Sequence, residues 1–98
     1  MRIFRFQGPI DQSNVMERLA PPSRALDHDN KLALDLGQVT WIDSAGLAGM
    51  VRLLADARRR GGEVRLMEAS ESVHCALRFA RLDELFPISN EAAVPAEP

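Results

Sequence analysis

Cysteine and lysine are almost missing from the chain: Cys75 and Lys31 are the sole examples of each. One thiol excludes an intrachain disulfide, so the fold must rest on its apolar core, and the composition suits a reducing compartment. A positive charge carried almost wholly by arginine reads as a compositional bias rather than a site. Nor is there an excess of cations: 12 Lys and Arg stand against 14 Asp and Glu, for a net charge of −2 and a pI near 5.6. That balance supplies no basic field for nucleic acid. No apolar run approaches the roughly 18 residues of a membrane span, and no apolar leader with a small-residue cleavage site follows Met1-Arg2. The expectation is a cytoplasmic protein with no direct membrane insertion.

Catalytic signatures are missing as well. There is no HExxH, CxxC or GxSxG, and Gly46-Leu47-Ala48-Gly49 lacks the Lys-Ser/Thr ending of a phosphate-binding loop. His28, in a polar loop, and His74, in the first turn of a helix, are too few and too scattered to imply a metal centre. Cys75 reads as a small buried or half-buried side chain. No catalytic residue, cofactor or metal is expected.

What the chain does contain is the pattern of one small α/β domain. Its 98 residues are 46% hydrophobic, enough for a single core with little to spare. Arg2 to Ile10 alternates, with Phe4 and Phe6 on one face and Ile3 and Arg5 on the other, and Gly8-Pro9 closes the run. Asp11 or Ser13 then caps a helix with Val15, Met16 and Leu19 inward, which Pro21-Pro22 should stop near Ala20. Lys31 to Leu36 is a second strand, with Leu32, Leu34 and Leu36 on one face and Ala33 and Asp35 on the other. Gly37-Gln38 is expected to turn the chain, leaving Val39, Trp41 and Ile42 as anchors beneath the next turn.

A strongly periodic helix from Ala45 to Arg60 follows, with Leu47, Met50, Val51 and Leu54 as its core stripe. Arg58 to Arg60 suit its negative end, and Gly61-Gly62 allows a left-handed stop. Glu63 to Met67 is a third strand. Ser70 or Ser72 caps a last helix whose face is Val73, Ala76, Leu77 and Ala80, and Phe86-Pro87-Ile88 suggests a short edge strand. Residues 1–90 are expected to form the domain, and residues 91–98 a flexible tail. Strands alternating with helices give a curved four-stranded sheet, mixed but largely parallel, with helices packed on it.

Asp43-Ser44-Ala45-Gly46-Leu47 is the one stretch on which a site can be mounted. Asp43 or Ser44 caps the helix by accepting free backbone N–H groups, and Gly46 permits close packing. A serine hydroxyl at a helix start is also open to contact or modification, and the positive helix end tolerates a phosphate. A phosphate would add about −1.5 to −2 of charge beside Asp43.

The run LALDLGQVTWIDSAGLAGMVRLLADARRRGGEVRLME closely resembles the STAS domain, the fold of bacterial anti-sigma-factor antagonists. That family has an apolar strand ending in Asp, a small-residue turn, an apolar residue before Asp-Ser-(Ser/Ala)-Gly-Leu, a helix, a Gly-Gly stop and another strand. Asp35, Asp43, Ser44, Gly46 and Leu47 stand in register with it. Gln7 to Asp11 resembles the family's Gly-x-(Leu/Ile)-Asp turn, and Ser70 to Phe86 its last helix and the segment after it.

The resemblance implies a non-catalytic regulator that binds a partner protein through Asp35, Asp43, Ser44, Ala45, Gly46 and Leu47. In the antagonists the serine after the Asp is phosphorylated by an anti-sigma factor that is also a serine kinase. The unphosphorylated form binds that kinase, and a phosphatase resets the switch. Ser44 is the matching position. The alternative is a STAS subunit of an Mla-type lipid-transport ABC complex, in which Ser44 would contact the ATPase subunit unmodified. A homodimer is compatible with either.

Three departures stand out. An extra N-terminal strand carried by many antagonists is expected to be missing or shortened, Arg81 replaces a frequent glycine after the last helix, and Ala45 replaces a second serine. The last makes Ser44 the sole hydroxyl of the motif.

Overall fold

The computed structural model describes residues 1–82, 84–86 and, as backbone, 88–89; Asp83, Pro87 and the expected tail at 91–98 lie outside the described residues. Four strands, β1 (Arg2–Ile10), β2 (Lys31–Ile42), β3 (Glu63–Met67) and β4 (Ile88–Ser89), alternate with α1 (Val15–Ala25), α2 (Ser44–Arg59) and α3 (Glu71–Phe79). The strands lie in the order β1-β2-β3-β4, and every pairing among them is parallel. A helix between each pair of neighbours supplies the crossover that parallel pairing demands.

One face of the sheet makes the core. Phe6, Leu32, Leu34, Leu36, Val64 and Leu66 are buried there and form a single cluster with residues of all three helices. α1 contributes Val15 and Leu19, α2 contributes Met50, Leu53, Leu54 and Ala57, and α3 contributes Val73 and Leu77. By strand alternation, the other face carries Ile3, Arg5, Asp35, Arg65 and Met67. Arg5 and Asp35 face each other in register across β1 and β2 and form an ion pair at 3.3 Å.

Two breaks expected from local pattern do not occur. α1 runs through Pro21 and Pro22 to Ala25. A proline inside a helix removes a hydrogen bond and costs about 3 kcal/mol, but here Pro22 is fully buried and Ala25 and Leu26 beyond it are buried, so tertiary burial outweighs the local penalty. Met16 faces solvent at 76% exposure rather than joining Val15 and Leu19. The N-cap of α1 is Asn14, without a side-chain cap bond. The first turn is held instead by the Asp11 carbonyl, which accepts Asn14 and Val15 N–H at 3.0 and 2.8 Å.

Gly37-Gln38 does not turn the chain either. β2 continues for 12 residues to Ile42, and two irregularities absorb the small residues: Arg5 and Gln7 face Asp35 and Gln38, and Gly8 and Pro9 face Val39 and Trp41. Each places one extra residue on β2, the signature of a bulge. The second bulge rotates Trp41 outward to 48% exposure while Val39 and Ile42 stay buried, so Trp41 is not an anchor beneath the turn.

The α2 stripe is also rotated from the expected one. Leu53 and Ala57 are buried, and Leu47 and Val51 only half-buried. Ala80 and Phe79 are exposed beside α3. Both helices end in the same device, a left-handed residue at Gly61 and at Arg81. In α2, Gly62 and Gly61 N–H reach the carbonyls of Ala57 and Arg58; in α3, Leu82 and Arg81 N–H reach those of Leu77 and Arg78. These are paired Schellman bonds.

Candidate functional site at the start of α2

β1 and β2 end side by side at Ile10 and Ile42, and the chain then passes through Asp43 into α2. Asp43 is extended, and its carboxylate is the N-cap: Oδ1 accepts Gly46 N–H at 2.8 Å. Oδ2 accepts Gln12 N–H at 3.0 Å. The Asp43 N–H donates to the Ile10 carbonyl at 3.2 Å, and the Asp43 carbonyl accepts Leu47 N–H at 2.9 Å. One residue therefore ties the end of β1, the approach to α1 and the first turn of α2 together. Of the two residues able to cap, Asp43 does so.

Ser44 is consequently the first helical residue and is exposed. Its hydroxyl takes no part in the capping bonds. The N–H groups of Ser44 and Ala45 are the first-turn donors that Asp43 leaves over, and they give this helix end its affinity for negative charge.

Gly46 is buried under the site. A Cβ there would lie 2.6 Å from Ile42 Cγ1 and 2.8 Å from the Ile10 carbonyl oxygen. Gly49, one turn on, would press a Cβ against Val15 Cγ2 at 2.7 Å and Leu19 Cδ1 at 2.9 Å. These two glycines let α2 lie close on the strand ends and on α1. Gly46 thus shapes the site from below, while Ala45 and Leu47 are half-buried against the core.

Asp35 lies elsewhere. It sits eight positions before Asp43 along β2, roughly 25 Å at about 3.3 Å per residue. There its Oδ2 meets Arg5 Nε at 3.3 Å and its Oδ1 accepts Gly37 N–H at 3.1 Å. The fold thus gathers residues 43 to 47 and leaves Asp35 on the open sheet face. Two neighbours were not anticipated as parts of the site. Gln12 enters through its backbone N–H, which no side-chain pattern reveals. Trp41, two residues before Asp43, is turned outward by the bulge after Val39, of which the only trace in sequence is an imperfect alternation from Val39 to Ile42.

Among the described residues no group of three or more His, Cys, Asp or Glu is placed to hold a metal ion. His28 is exposed and His74 half-buried. Cys75 is exposed rather than buried, since it lies on the side of α3 away from Val73 and Leu77. No helix among the described residues is long and apolar enough to cross a membrane.

A parallel sheet with helices on its core face, and a serine exposed at the start of the helix after the second strand, define a small α/β module. The STAS domain model matches residues 1–93, and the chain belongs to the STAS domain family. BtrV of Bordetella bronchiseptica, assigned as an anti-sigma factor antagonist, is 29% identical over 99 residues, spanning 98% of this chain and 85% of that protein. A Thermotoga maritima crystal structure, assigned likewise, matches with a TM-score of 0.74 at 25% identity over 89% of this chain and 76% of its own. A sulfate transporter family protein from Wolinella succinogenes matches with a TM-score of 0.78 at 18% identity over 91% of this chain and 75% of its own. That last likeness shows a shared fold.

Proposed function

We propose that this protein is a non-catalytic partner-switching regulator of the anti-sigma-factor-antagonist kind. It binds a protein partner over the start of α2 and is released when Ser44 is phosphorylated. The observation that carries this reading is the division of labour between Asp43 and Ser44. Asp43 makes the cap bond to Gly46 at 2.8 Å, so the exposed Ser44 hydroxyl is not needed to hold the helix and is free for a partner or a kinase. A phosphate on it would stand at a helix N-terminus, where unpaired N–H groups and the helix dipole favour an anion.

The partner in this reading is an anti-sigma factor with serine kinase activity, with a serine phosphatase resetting the switch in the cytoplasm. The antagonist assignments of BtrV and of the Thermotoga protein support an anti-sigma factor as the partner. The test is intact-mass measurement after incubation with ATP and the cognate anti-sigma factor. A gain of one phosphate on the native protein and none on Ser44→Ala is expected. Recovery of an ABC ATPase as the stable partner, with Ser44 unmodified, would replace the switch by a contact role in a transporter.

A further inference from the structure

Among the described residues β1 is an edge strand, paired with β2 alone. In a parallel pair each strand turns alternate N–H and C=O groups toward its neighbour, so an edge strand presents the rest outward. Over the second half of β1, α1 answers them. Arg18 Nη2 donates to the carbonyls of Gln7 and Pro9, the latter at 3.0 Å, and Asn14 Nδ2 donates to Pro9 at 3.1 Å. Over Arg2 to Phe6 no strand among the described residues lies beside the edge.

Next to that open stretch, a groove of about 410 Å³ runs between β1 and α1. Phe4, Phe6 and Pro22 give it an apolar lining, with Arg5, Glu17 and Arg18 also along it. A free strand edge beside an apolar groove walled by a helix is the geometry in which an extended peptide adds to a sheet: backbone bonds hold it, and alternate side chains enter the groove.

Charge selects the occupant. Arg5 is answered by Asp35, whereas Arg18 and Arg2 form no ion pair among the described residues; Arg2 stacks over the Phe4 ring at 5.2 Å and feels Asp29 only through a weaker, longer-range attraction. A second copy of β1 would bring RIFRFQ, with two arginines and no acid, against this basic edge, a like-charge juxtaposition that costs affinity. We propose that residues 2–6 of β1 accept an extended segment of a partner protein as an added strand, with apolar side chains over Phe4 and Phe6 and an acidic side chain on the same face at each end, toward Arg2 and Arg18. The open stretch lies four to eight residues before Ile10, roughly 13 to 26 Å from the Ser44 end of the sheet at about 3.3 Å per residue. It is thus a second surface, and it does not rest on the switch reading.

The test uses two synthetic heptapeptides, Glu-Thr-Val-Thr-Val-Thr-Glu and Lys-Thr-Val-Thr-Val-Thr-Lys, which carry the charges and the valines on one face, titrated into the isotopically labelled full chain and followed by NMR. The glutamate peptide is expected to shift resonances and slow amide exchange within residues 2–6. The lysine peptide should bind at least tenfold more weakly, and Arg2→Glu, a change at an exposed side chain, should narrow or invert that ratio. No response to the glutamate peptide at millimolar concentration, or shifts confined to the start of α2, overturns the proposal. Concentration-dependent protection of the same amides without peptide overturns it too, in favour of a second copy.

Discussion

The Asp43 carboxylate accepts the backbone N–H of Gln12 at 3.0 Å across 31 residues of sequence, while its other oxygen caps α2 at Gly46. Losing both bonds should cost more than an ordinary cap, about 1–3 kcal/mol for Asp43→Ala. Asp43→Asn keeps one acceptor oxygen and should lose less. Urea unfolding midpoints of the two variants check this, and equal losses would show that the bond kept by asparagine contributes nothing.

Ser44 should behave in the opposite way. Since it does not cap, Ser44→Ala is expected to change stability by no more than about 0.5 kcal/mol. A phosphate on Ser44 repels Asp43 in the free and bound protein alike, so weakened binding must come from the partner's own groups. A partner carboxylate about 6 Å from two negative charges, at an effective dielectric of 40 to 80, is repelled by about 1.4–2.8 kcal/mol. That corresponds to roughly 10- to 100-fold in affinity, and the single charge of Ser44→Asp to about 3- to 10-fold. Calorimetry against the anti-sigma factor with native, Ala, Asp and phosphorylated proteins reads the series directly.

Two α2 glycines carry different costs. Gly46→Ala drives a methyl onto the Ile10 carbonyl and Ile42, where the obstacle includes backbone at a strand end, and should lose about 1–3 kcal/mol. Gly49→Ala meets only the side-chain methyls of Val15 and Leu19, and gains up to about 1 kcal/mol of helix propensity. The first variant should unfold at lower denaturant than the second.

Arg81 holds the left-handed position after α3 at φ 61°, a conformation that costs a residue with a Cβ about 1–2 kcal/mol. Glycine avoids that cost but loses more entropy on folding. Arg81→Gly should therefore stabilise the protein by up to about 1 kcal/mol, read as a raised thermal midpoint.

Asp29 sets one pH dependence. Its carboxyl is held below the usual range first by the Lys31 backbone N–H, and next by the Met1 ammonium group 3.2 Å away. A folded-state pKa lowered in this way contributes stability that is present above the unfolded value and lost as pH falls through the folded one. Stability should accordingly decline below about pH 4, and Asp29→Asn should flatten that acid limb in denaturation midpoints measured from pH 6 to pH 3.

Much of this molecule is determined by sequence alone, because the signals are local. Alternation in RIFRF placed Phe4 and Phe6 inward, Gly61 closed α2 with a left-handed turn, and Asp-Ser before a periodic helix marked the N-terminus of α2. Only the tertiary structure decided the rest. α1 passes through Pro21-Pro22 because burial of Pro22 and of the residues after it outweighs a local penalty. β2 passes through Gly37 because pairing with β1 continues and bulges take up the extra residues. Asp35 stays with Arg5, well away from Ser44. The choice between Asp43 and Ser44 as cap was also tertiary: both have a suitable oxygen, but the Ile10 and Gln12 bonds hold Asp43 extended at the N-cap and leave the Ser44 hydroxyl facing out.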